Sequence, residues 1–134
     1  MRVYTESFSF KTRGPIDIID ITGNVQKIVT KSQIKNGIAH IFAPHATGII
    51  VLTENEENLL NDIRRLLEDL VPEGGNYAHP SNAHAHLRSL LLPPDKTVPV
   101  VDGRLALGTW QSIMFIETDI YPRTRTVIVT VMGE

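Results

Sequence analysis

Over residues 3–10 the chain alternates, with Tyr4, Phe8 and Phe10 sharing one side of a period of two, and this predicts a half-buried strand closed by Gly14-Pro15. The period then changes. Val25, Ile28 and Val29 recur at helical spacing behind Thr22, so a short helix is expected with Thr22 as its cap and Asn36-Gly37 as its stop. Residues 38–42 and 49–52 read as two strands joined by Ala43-Pro44-His45-Ala46-Thr47-Gly48. Over 54–71, Leu59, Leu60, Ile63, Leu66, Leu67, Leu70 and Val71 recur at three and four, the pattern of an amphipathic helix. Residues 72–76 form a loop, and 82–92 a short helix ended by Pro93-Pro94. Strands follow at 97–101, 110–117 and 124–132, with 105–107 as a further one beyond Asp102-Gly103. Strands outnumber helices and most connections are too short for parallel crossovers. The expectation is one α+β domain over 1–134, an antiparallel β-sandwich-like core with two or three helices.

A chain of 134 residues buries roughly two thirds of its unfolded surface, so a core forms without disulfides or a structural metal. There is no cysteine, which excludes disulfides, thiolate nucleophiles and cysteine-bound zinc, and makes the cytoplasm the expected compartment. Thirteen basic against fifteen acidic residues argue against nucleic-acid binding, which needs a concentrated basic face. No segment approaches the ~20 apolar residues of a membrane helix. The acids are concentrated in 54–73, which holds seven of the fifteen. For Glu56 and Glu57 the helix macrodipole explains the position; Glu54, at the junction, stays open as a functional group.

The histidines carry the chemical signal. His79, His84 and His86 lie in the polar stretch Tyr77-Ala78-His79-Pro80-Ser81-Asn82-Ala83-His84-Ala85-His86, and His45 sits in the connector between two strands. Imidazoles suit zinc and similar ions, and a catalytic zinc site usually takes three protein ligands and a water. His84 and His86 share a face in an extended chain and oppose one another in a helix. Polar loop histidines bonded to backbone or water are the alternative, above all for His79, while His40 reads as a strand residue at an edge or packed. Parity adds a second group. Glu117 ends one strand face, Arg123 and Arg125 begin another, and a hairpin turning at 118–122 sets Glu117 nearly opposite Arg123. Such a carboxylate and arginines can orient a water or grip an anion, or form a hairpin ion pair worth under about 1 kcal/mol. Trp110 divides in the same way between core and site.

These residues resemble the YjbQ-like family over nearly the whole chain: His45-Ala46-Thr47-Gly48 with Glu54, Asn82-Ala83-His84-Ala85-His86-Leu87, Gly103-Arg104-Leu105, Gly108-Thr109-Trp110-Gln111 with Glu117, and Pro122-Arg123-Thr124-Arg125. The resemblance implies a secondary thiamine-phosphate synthase of weak activity, a homotrimer with sites near the subunit boundary, and histidines that hold a metal. By that likeness His45, Glu54, His86, Trp110, Gln111, Glu117, Arg123 and Arg125 share a pocket. Three positions depart from the family pattern. Ala46 lacks the family's hydroxyl, Thr53 replaces Asn, and His84 stands where Asp is expected, which favours zinc over magnesium. The Tyr77–His79 loop is also shorter than usual.

The resulting expectation is a metal-assisted enzyme acting on a small phosphorylated substrate. His45, His84 and His86 would hold a divalent ion. Glu117 or Glu54 would handle protons, and Thr47, Arg88, Trp110, Gln111, Arg123 and Arg125 would meet substrate. A metal-dependent hydrolase, or a homotrimer that only binds a metal or anion, uses the same residues. No P-loop and no GxSxG motif is present.

Overall fold

The computed structural model describes residues 1–134 and contains two antiparallel sheets with three helices. In chain order the elements are β1 (Arg2–Lys11), β2 (Ile18–Asp20), α1 (Thr22–Ser32), β3 (Gly37–Phe42), β4 (Gly48–Thr53), α2 (Glu57–Leu70), α3 (Ala83–Leu91), β5 (Asp95–Val101), β6 (Arg104–Leu105), β7 (Ser112–Glu117) and β8 (Thr124–Gly133). The larger sheet runs β1-β8-β3-β5-β6 and the smaller β2-β7-β4. The α+β sandwich expected from periodicity is the fold found.

Alternation assigns each strand residue to a layer. Ala39 and Ile41 of β3, Val98 and Val100 of β5, and Val127, Val129 and Val131 of β8 face inward from the larger sheet. They meet Ile50, Ile113 and Phe115 of the smaller sheet and Val25, Ile28 and Val29 of α1. The opposite parity of the smaller sheet supplies Ile18, Ile49, Met114 and Ile116 to a second core, closed by Leu67 of α2. Strand β7 is therefore apolar on both faces because it lies between two layers.

Several local expectations are corrected. Thr22 begins α1 rather than capping it; its hydroxyl accepts the Ile113 N–H at 2.8 Å and ties the helix to β7. The helix stops at Gln33, which takes the left-handed conformation with φ of 58°. Gly37 instead opens β3, so close to β8 that a Cβ would overlap the Met132 carbonyl. Helix α2 begins at Glu57, because Glu56 caps it and accepts the N–H groups of Asn58 and Leu59 at 2.8 and 3.0 Å. Trp110 and Gln111 precede β7, since Gln111 closes a turn on Gly108 through both its N–H and its side-chain oxygen, at 3.0 and 2.9 Å. The three-residue β2 is too short for alternation to reveal; it pairs with β7.

The expected C-terminal hairpin does not form. β7 pairs with β2 and β4, while β8 pairs with β1 and β3, so residues 118–123 carry the chain from one sheet to the other. Glu117 lies opposite Gly48, and the facing sheets set it beside Arg125 instead of Arg123. No helix is long and apolar enough to cross a membrane.

Candidate active site

The register of the smaller sheet divides the expected site residues between two ends. Gly48 pairs with Glu117 and Thr53 with Ser112. Five strand steps separate these pairs, roughly 17 Å. His45 and Thr47 adjoin the first end with Glu117, Arg123 and Arg125, while Glu54, Trp110 and Gln111 adjoin the second. Glu54 is exposed, and Trp110 is 72% exposed.

At the first end a polar cluster is buried under the sandwich. Glu117 is fully enclosed, and its Oε1 accepts the Thr12 hydroxyl and Arg125 Nε, both at 2.6 Å. Its Oε2 accepts the Asp119 N–H at 3.1 Å and Arg125 Nη2. Arg125 Nη2 also donates to the Thr47 hydroxyl at 2.8 Å and to the Thr47 carbonyl at 3.1 Å. These donors occupy both oxygens of Glu117, so its carboxylate anchors Arg125 instead of standing free as a base. Arg123 is half-exposed, and its Nη2 donates to Asp119 at 2.8 Å. Burial alone would push Asp119 up, but hydrogen bonds from the Ile120 N–H, Asn82 and Arg123 outweigh it and hold the carboxyl below its usual range.

His45 closes the edge of β8 where β3 ends. Its Nε2 lies 2.9 Å from the Thr126 nitrogen and 3.1 Å from the Thr126 carbonyl oxygen, in the place a neighbouring strand would fill, and accepts from the one or donates to the other according to its tautomer. Burial, and next the charge of Arg125, hold His45 below the usual imidazole value.

Helix α3 separates the remaining histidines. Two residues span about 200° of helix, so His84 and His86 leave opposite sides. His84 is 1% exposed with neither ring nitrogen hydrogen-bonded, and burial followed by the charge of Arg88 lowers its pKa. Arg88, one turn on, is equally enclosed; its Nε donates to the Val71 carbonyl at 3.0 Å, and Nη2 lies 3.4 Å from Glu68 without hydrogen-bond geometry. It fastens α3 to the end of α2. His86 instead lines a groove with two lobes. One, about 380 Å³, is shared with His45, Ser89 and Leu90; the other, about 430 Å³, with Tyr77, His79 and Ala83.

His45 and His86 thus meet the same groove, whereas His84 and Arg88 lie inside the protein. No three of the chain's His, Asp and Glu side chains form a group able to hold a metal. The predicted three-histidine set is not assembled within one chain, because α3 is helical where an extended strand would have aligned His84 with His86.

Sequence reasoning passes over Thr12, Ser89 and Asp119, and reads His79 as a polar loop residue. His79 packs edge-on against His86, with ring centroids 5.0 Å apart. Its clustering with His84 and His86 is the available signal. Nothing in the local pattern marks Thr12, which reaches Glu117 across 105 residues.

Comparison with known proteins agrees with this arrangement of motifs. The family model described as UPF0047 protein YjbQ-like matches residues 6–134. The chain belongs to the YjbQ-like family. A UPF0047 protein of Methanothermobacter thermautotrophicus is 44% identical, covering 100% of this chain and 95% of its own. The UPF0047 protein YjbQ of Escherichia coli O157:H7 is 30% identical, covering 97% and 96%. A crystal structure from Sulfolobus solfataricus, of a YbjQ-like protein of unknown function, superposes with a TM-score of 0.96 at 37% identity over 99% of both chains. This YjbQ-like chain therefore shares its family with relatives from archaea and bacteria and its fold with the Sulfolobus protein.

Proposed function

We propose that this YjbQ-like protein is an enzyme acting on a small phosphorylated substrate in the groove beside α3, completed by a neighbouring copy of the chain. One observation carries the reading: His45 and His86, distant in sequence, line one groove next to the buried Glu117–Arg125 pair. The half-exposed Arg123 supplies charge for phosphate oxygens. Arg125, fixed by Glu117 and Thr47, holds the wall behind the groove rigid.

The second end of the smaller sheet supports a site shared between copies. Trp110, Gln111 and Glu54 lie too far from His45 to serve the same ligand within one chain. Exposed apolar surface suits such an assembly. Leu90 and Leu91 of α3 are 78% and 61% exposed, and the outer face of the larger sheet carries Val3, Ile38 and Met132 in one row. We assign a homotrimer on the family resemblance, in the cytoplasm. A divalent ion, zinc before magnesium, belongs to the proposal with His86 and His45 as donors and the remainder from a second copy. When bound, it would neutralise charge on the departing phosphate oxygens.

The reaction we assign is thiamine-phosphate formation, in which the thiazole nitrogen bonds to the pyrimidine methylene carbon and pyrophosphate leaves with the electron pair of the C–O bond. A binding role without turnover has one observation in its favour, since both oxygens of Glu117 are committed and no nucleophile–base pair lines the groove. The test is metal content of the purified protein, wild type and His86→Ala, together with turnover of the two thiamine precursors against a His45→Ala control. Turnover that falls at least tenfold in His45→Ala supports the enzyme. Bound metal without turnover leaves the binding role, and hydrolysis of a phosphorylated precursor without coupling leaves a hydrolase.

A further inference from the structure

Asn82 and Asp119, outside the histidine set, carry a hydrogen-bond chain whose direction is fixed at every link. Asp119 is 1% exposed and accepts from Arg123 Nη2 at 2.8 Å and from the Ile120 N–H at 2.8 Å. An ionised carboxylate only accepts, so the Asn82 group that reaches Asp119 at 3.2 Å is its NH₂. The other end of that amide, Oδ1, lies 3.3 Å from His79 Nε2. An amide oxygen also only accepts, so Nε2 carries the proton. A neutral imidazole has one such proton, which leaves Nδ1 with a free electron pair.

The backbone is bent to make this contact. Between His79 and Asn82, Ser81 takes a φ of 72°, and the Asn82 N–H closes a three-residue turn on the Pro80 carbonyl at 2.9 Å. A left-handed serine of this kind costs on the order of 1–3 kcal/mol, and such strain concentrates where geometry serves a function. The turn brings the His79 ring edge-on to His86, so both imidazoles line the same lobe of the groove.

We infer that Asn82, anchored by Asp119, is a positioning residue that fixes the tautomer of His79 and so gives the groove a basic nitrogen, Nδ1, as a proton acceptor. The tautomer follows from hydrogen bonding alone; its use in turnover rests on the reading of the groove as a reaction site. Because Asp119 also holds Arg123, the proton acceptor and the arginine for phosphate oxygens share one carboxylate.

The test is a long-range ¹H–¹⁵N spectrum of the histidine rings, recorded without metal or substrate at about pH 8, above the usual imidazole value. Wild-type His79 should show a single Nε2–H tautomer. Asn82→Ala should relax it to the two-tautomer mixture of a solvent-exposed ring. In Asp119→Asn the amide of Asn82 is free to turn over, and the single form should again be lost. A mixture or an Nδ1–H form in the wild type overturns the inference, as does an unchanged spectrum in Asn82→Ala. The wild-type spectrum decides the tautomer even where a variant fails to fold. No ligand is involved, so the outcome is independent of whether thiamine precursors turn over.

Discussion

Arg125 of the larger sheet donates to both carboxylate oxygens of Glu117 in the smaller one, through Nε at 2.6 Å and through Nη2. Both side chains are buried, 6% and 0% exposed, so the pair joins the two layers where water does not weaken it. Thr12, Thr47 and the Asp119 N–H take up the remaining capacity. A buried ion pair with this many hydrogen bonds holds the layers in one relative position, and with them the His45 end of the groove.

Removing one partner leaves an uncompensated buried charge. Glu117→Gln or Arg125→Met should each lower stability by about 3–5 kcal/mol, read from urea denaturation. Glu117→Leu combined with Arg125→Met should cost much less than the sum of the single changes, because neither charge is then stranded. If either single variant unfolds at the wild-type midpoint, the pair does not hold the sheets together.

Acid should destabilise the protein well above the range of its carboxylates. His45 and His84 both titrate below 6.5 in the folded state, and a lowered imidazole pKa means that the unfolded chain binds protons first as pH falls. Their contribution is constant above pH 6.5 and is lost as pH falls from there through the folded values. Asp119, lowered from 3.8, adds a second loss only below that value. Around His84 stand Arg88, which opposes its protonation, and Glu68, Glu73 and Asp119, which favour it less strongly. The urea midpoint should therefore drop from pH 6.5 downward, and His84→Leu, which removes two unbonded buried nitrogens, should flatten that drop. A midpoint that holds steady or rises on acidification contradicts both assignments.

The acids that precede α2 separate a cap from a surface charge. Glu56→Ala removes the acceptor for two N–H groups and should cost about 1 kcal/mol. Glu54→Ala, at an exposed position, should stay within about 0.5 kcal/mol. Thermal or urea unfolding of the two variants side by side measures the difference.

Periodicity locates every helix and every strand but the three-residue β2, because burial of alternating or helical faces is a local constraint written into consecutive residues. Pairing is harder to read. The turn at 118–122 looks like any hairpin until β7 is found to be apolar on both faces, and its burial depends on α2, some fifty residues earlier. In the site, parity places Glu117 and the arginines on core-directed faces, but the partner of Glu117 is decided by sheet stacking and is Arg125. His84 illustrates the same limit: two histidines two residues apart align or oppose according to secondary structure, and the helix sends one into the interior. Thr12 and Asp119 gain their importance only from contacts distant in the chain.

The sharpest test of the shared site uses two damaged chains. His45→Ala removes one half of the proposed site and Trp110→Ala the other, roughly 17 Å away in the same protomer. If one ligand is held by His45 of one copy and Trp110 of the next, each variant alone is impaired at every site. A random equal mixture then rebuilds the intact combination at about a quarter of its interfaces, because an undamaged His45 must meet an undamaged Trp110. Co-expressed chains carrying different tags, purified as hybrids, should recover turnover of the thiamine precursors toward about a third of wild type, because every trimer that holds both chains has one such interface among its three. Sedimentation of the wild type should give three chains. A monomer in solution, or hybrids no more active than either parent, would mean that the two ends of the smaller sheet serve separate purposes.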